Sequence, residues 1–144
     1  MIVKSGPLMA FAAILVIAAP AVAQIGATTI SLSLSGAAEG PGLGDPDGSG
    51  RAELRIDPDQ GQVCYSVVVE AIDPAFGAHI HRSPVGVAGG PIVVVLDPPT
   101  DGDSEGCTSV TAELAREILG SPAEYYLNIH TPNFPDGAVR AQLG

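Results

Sequence analysis

From Thr28 to Ser35 apolar and polar side chains alternate without a break, with Ile30, Leu32 and Leu34 on one face and Thr29, Ser31, Ser33 and Ser35 on the other. A period of two is the pattern of a strand with one face in a core and one in water. The period returns at Ala52, Leu54 and Ile56, after a loop from Gly40 to Gly50 that is almost entirely Gly, Pro and Asp. Asp57-Pro58-Asp59-Gln60-Gly61 is a turn, and Val63 to Val69 is the most β-prone run, so the two flanking segments are expected to form a hairpin. Further strands are expected at Phe76–Arg82, Pro91–Leu96, Tyr125–His130 and Ala138–Leu143, which makes seven.

Only Thr111 to Leu119 reads as helix. Thr111 can cap it, Glu113 suits its positive end, Leu114 and Ile118 form an i, i+4 apolar pair, and Gly120 with Pro122 stops it. Seven short strands without βαβ alternation predict an all-β fold, an antiparallel Greek-key β-sandwich with one short helix.

The N-terminus has the form of an export signal: Lys4, an apolar run from Leu8 to Ala19, and Ala21-Val22-Ala23 before Gln24. The run is shorter than the roughly 20 residues of a spanning helix, and Pro20 closes it. The expected organisation is therefore a signal peptide over residues 1–23 and one domain over residues 24–144, periplasmic or secreted, with no membrane insertion after cleavage. About 120 residues suffice for one modest core. The formal charge of −10 becomes −11 once Lys4 is removed. Such a chain repels phosphate backbones, which makes nucleic acid a poor partner, and metal ions or cationic partners fit the field better. Acidity also simply keeps an exported protein soluble.

The chain has two cysteines, Cys64 and Cys107. In an exported chain without a third thiol the simplest reading is one disulfide; a pair of metal-binding thiolates is the alternative.

All three histidines fall in two of the expected strands, Ala78-His79-Ile80-His81 and Leu127-Asn128-Ile129-His130. Residues two apart on a strand point the same way, roughly 6 to 7 Å apart, so His79 and His81 share a face, as do Asn128 and His130. Should the strands be neighbours, His79, His81 and His130 can bind one ion. Three imidazoles suit copper or zinc and leave a coordination position open. Asn128 can then hold a ring or a bound water from behind. The alternative is that the histidines are hydrogen-bonded structural groups of a metal-free interaction domain.

Other motifs carry less. Asp45-Pro46-Asp47-Gly48-Ser49-Gly50 starts like a calcium loop, but its twelfth position, where a bidentate Glu belongs, is Ile56, so a solvated turn is expected. No G-x-S-x-G elbow or free nucleophilic Cys supports a hydrolase, and no catalytic residue is assigned. Arg82 and Arg140, at strand ends, are expected in surface ion pairs or on a carboxylate.

Several segments together resemble the CHRD domain, named for the animal protein chordin and present as single copies in exported microbial proteins. They are Val63-Cys64-Tyr65-Ser66-Val67, Ala78-His79-Ile80-His81-Arg82, Gly90-Pro91-Ile92-Val93-Val94, Gly106-Cys107, and Tyr126-Leu127-Asn128-Ile129-His130-Thr131 with Phe134 through Leu143. The resemblance runs from about Thr28 to Leu143. It implies an immunoglobulin-like or superoxide-dismutase-like sandwich, with Cys64 and Cys107 as the family's paired cysteines. It implies binding or scaffolding more than catalysis; an envelope or extracellular protein is the partner expected of the metal-free interaction domain. The H-x-H and N-x-H motifs carry over onto His79, His81 and His130 without naming a ligand. Ser83 and Ala141 stand where the family often has Gly. A copper enzyme of superoxide-dismutase type is the remaining alternative, although such enzymes use more histidines than this chain has.

Overall fold

The computed structural model describes residues 26–144, so the expected signal peptide and its cleavage site before Gln24 lie outside the described residues. Among the described residues eight strands form: β1 Thr28–Ser35, β2 Ser49–Asp57, β3 Gln62–Glu70, β4 Gly77–Arg82, β5 Ile92–Leu96, β6 Asp103–Ser109, β7 Tyr125–His130 and β8 Val139–Gln142. One helix, α1 Ala112–Gly120, lies between β6 and β7. The seven expected strands are present, and β6 is the addition. Its inward positions are Ser104, Gly106 and Thr108, and its outward ones include Asp103 and Glu105, so it lacks the apolar half of the alternation.

All pairings are antiparallel, in the order β5-β4-β7-β8-β1-β2-β3-β6. Between β1 and β8 the ladder is a single pair, Ser35 with Arg140, and there the sheet folds over on itself. The outer strands β5 and β6 then meet across a seam, where the Thr108 hydroxyl donates to the Val95 carbonyl at 2.9 Å. The chain crosses from β3 to β4 and from β6 to β7, past strands already in place, which is the Greek-key connection. The result is an all-β, antiparallel, nearly closed sheet.

The alternation explains the core. Leu32 and Leu34, Leu54 and Ile56, Val63 and Val67, Ile80, Leu127, Ile129 and Val139 point inward and join one buried cluster, with Ala115 and Ile118 of α1 beneath it. The Thr111 hydroxyl accepts the Leu114 N–H at 3.1 Å and caps the helix as expected. Thr111→Ala should therefore lower stability by about 1 kcal/mol in urea unfolding.

Cys64 and Cys107 are directly opposite in the β3–β6 ladder and are joined in a disulfide on its outer face. Asp45–Gly48 is a turn, and Ser49 and Gly50 already belong to β2: the Asp45 N–H donates to the Ala138 carbonyl and the Gly48 N–H to the Asp45 carbonyl. Its carboxylates form no ligand group, because the histidine triad is the single such cluster among the described residues.

Strand β7 is buried at every position, on both faces. One face supplies Leu127 and Ile129 to the core. The other, with Tyr126, Asn128 and His130, lies under the loops that follow β1, β4 and β7.

Candidate metal centre

Strands β4 and β7 pair side by side, with Gly77 opposite His130, His79 opposite Asn128 and His81 opposite Tyr126. Because Ala78, Ile80, Leu127 and Ile129 occupy the core, parity turns all three histidines onto the covered outer face. Their ring centroids are 4.9 Å apart for His79 and His130, 5.7 Å for His79 and His81, and 6.2 Å for His81 and His130. One nitrogen from each ring lies within 4.8 Å of the other two. Gly77 makes this approach possible, since a Cβ there would sit 3.1 Å from His79 Cε1 and 3.4 Å from His130 Cδ2. The β4–β5 register slips between Ile80 and His81, a bulge of the kind that re-aims a side chain beside a site.

The surrounding hydrogen bonds select the tautomers. His81 Nδ1 lies 2.7 Å from the Gly90 carbonyl and His130 Nδ1 lies 3.0 Å from the Pro135 carbonyl. A carbonyl only accepts, so each Nδ1 carries the proton, and in the neutral ring each Nε2 is left with its lone pair. Those two Nε2 atoms, and Nδ1 of His79, are buried with no hydrogen-bond partner. Burial, followed by the charges of His130 and His81, pushes the His79 pKa down to about 4. Burial also lowers that of His130, against the pull of the Pro135 carbonyl. Both rings are thus held neutral at pH 7, the form that ligates metal.

Asn128 serves the site through the backbone. Its amide donates to the Asp136 carbonyl at 3.4 Å, tying down the loop that also offers the Pro135 carbonyl to His130.

Three further residues belong to this face. Tyr126 stacks on His81 with the rings 3° from parallel and 4.7 Å apart, and the Arg140 guanidinium lies 3.5 Å over the Tyr126 ring. Their parity with Asn128 and Gln142 is a signal present in the sequence. Arg140 is 3% exposed and donates to the Val87 carbonyl and to Gln142 Oε1, each at 3.1 Å, in place of the expected surface ion pair. Arg82 does form one, with Glu117. The third residue is Glu39, in a 3-10 turn at Gly36–Glu39. It is 8% exposed, and burial raises its pKa to about 7 although Arg140 and Asn128 pull it down. Nothing in a Gly- and Pro-rich loop marks such a residue.

The family model of the CHRD domain matches residues 30–143, which take in every strand but for the first two residues of β1, and all of the covered face. The chain belongs to the CHRD domain family. No curated protein and no solved structure matches the chain. In this CHRD domain the histidine motifs of β4 and β7 are neighbours across one ladder, and Cys64 and Cys107 are bonded to each other. That disulfide fits an oxidising compartment.

Proposed function

We propose that this CHRD domain is an exported binding module that holds one copper or zinc ion through His79, His81 and His130. The observation that carries the reading is the convergence of the three rings, one nitrogen of each within 4.8 Å of the other two, together with a buried, unpartnered nitrogen on every ring. A buried nitrogen without a partner is costly, by about 1 to 3 kcal/mol each, and an ion would satisfy all three at once. Imidazole donors suit copper and zinc, and carbonyl partners behind His81 and His130 are the usual arrangement for ligating rings. Three is the whole histidine content, which leaves no imidazole for a second ion.

Calorimetric titration at pH 7.5 with Cu(II) and with Zn(II) tests this. Binding of one ion at about micromolar affinity or tighter is expected for at least one of them. It should be abolished in the His79→Ala, His130→Ala double variant. Saturation at about 100 times the dissociation constant should add about 2.7 kcal/mol to the unfolding free energy. Affinity weaker than millimolar, or unchanged in the double variant, leaves the metal-free interaction domain as the reading.

Export is supported by the leader-like residues before Gln24 and by the disulfide. Protein recovered from the periplasm or medium of a host expressing the full chain should have Gln24 as its first residue by N-terminal sequencing. An uncleaved, cytoplasmic product would overturn the export reading.

A further inference from the structure

A pocket of about 430 Å³ adjoins the histidines, its walls including His81, His130, Glu39, Asp136, Leu43 and Pro135. That is space for a ligand of side-chain size. An ion held by the triad would border this pocket, because two of its three rings line it.

The polar groups of the walls are weighted toward acceptors. Glu39 Oε1 is buried without a partner. Gly137, whose φ of +144° suits glycine, leaves the room for that carboxylate, into which a Cβ would run. Asp136 supplies a second carboxylate. Among the described residues no Arg or Lys lines the pocket. The neighbouring guanidinium, Arg140, is engaged by the Val87 carbonyl, Gln142 and the Tyr126 ring. Sites for small anions are built from guanidinium, ammonium or clustered N–H donors, and this one presents the opposite set. An unpartnered buried acceptor beside an ion calls for a ligand that has both a lone pair and an N–H.

Resting on the metal reading, we infer that this pocket admits a small neutral nitrogen base bearing an N–H, of the imidazole or amine class, in preference to an anion. Its lone pair completes the ion's coordination, and its N–H donates to Glu39 Oε1. Leu43 and Pro135 cover its carbon skeleton.

The probes are imidazole and azide, titrated at pH 8 into the Cu(II)-loaded protein and followed by visible absorption and electron paramagnetic resonance. Imidazole should bind more tightly than azide. Glu39→Gln removes the carboxylate and offers an N–H instead, so it should lower the ratio of imidazole to azide affinity by about tenfold, the scale of one hydrogen bond to a charged group. Azide binding as tightly as imidazole, or a ratio unchanged in Glu39→Gln, would overturn the inference while leaving the metal reading intact. A wild-type protein that takes up no Cu(II) overturns the metal reading, and this inference with it.

Discussion

Replacing both cysteines, Cys64→Ser with Cys107→Ser, should cost about 4 kcal/mol of stability, the chain-entropy value for a cross-link spanning 43 residues. In a domain of this size that is a fall in Tm on the order of 15 °C. The effect should be near the top of the usual range because of what the bond holds. β6 turns Ser104, Gly106 and Thr108 inward and so adds little apolar area to the core. Its ladder runs along β3 alone, and toward β5 the Thr108 hydroxyl is its hydrogen bond across the seam. Without the cross-link, an edge strand with that composition has a ladder on one side and little apolar burial to keep it in place. Urea unfolding of the double variant measures the loss. A loss under about 1 kcal/mol would mean that the ladder suffices unaided. The histidines lie on β4 and β7, so metal affinity should be unchanged in the same variant.

Glu39→Gln should stabilise the apo protein at pH 8, by about 2 kcal/mol after allowance for partial hydration of a carboxyl that borders a pocket. The folded-state pKa is raised from 4.5 to about 7, first by burial, with Asp136 adding to the rise and Arg140 and Asn128 opposing it. A group whose pKa is raised on folding contributes stability that is complete below the unfolded value. That contribution is lost as pH rises through the folded value, here between about 4.5 and 7. Glutamine has the same shape and no proton to lose, so the variant should lack this loss. His79 and His130 act in the other direction. His79, depressed from 6.5 to about 4, favours the fold above 6.5 and withdraws that support as pH falls toward 4. Comparing variant with wild type at each pH cancels the histidine contribution and isolates Glu39. Denaturation midpoints at pH 5 and pH 8 check the result, with the advantage of the variant confined to the higher pH. An equal difference at both would show that the carboxyl titrates normally and is hydrated.

The site was legible in part. That His79 and His81 share a face, and Asn128 and His130 another, follows from strand parity within five residues of chain. Tyr126 and Arg140 obey the same parity, yet parity alone gives Tyr126 no role and leaves Arg140 expected in an ion pair or on a carboxylate, because an aromatic ring or an arginine on a strand has many ordinary uses. Glu39 had no readable signal. Its burial results from a loop laid over the outside of the sheet, and loops lack a periodicity that foretells what they cover.

Local chemistry therefore determined seven of the eight strands, the helix with its Thr111 cap, and which side of each element faces the core, because alternation and capping act between residues close in sequence. The same rules could not show β6, whose small polar residues are held in place by β3 and a covalent bond. Tertiary structure alone decided that β4 lies against β7, some fifty residues on, and that the outer face they share is roofed by three loops. Pairing between distant strands depends on the whole Greek-key path of the chain. Only that path brings His130 to His79 and His81 and buries a nitrogen of each ring without a hydrogen-bond partner.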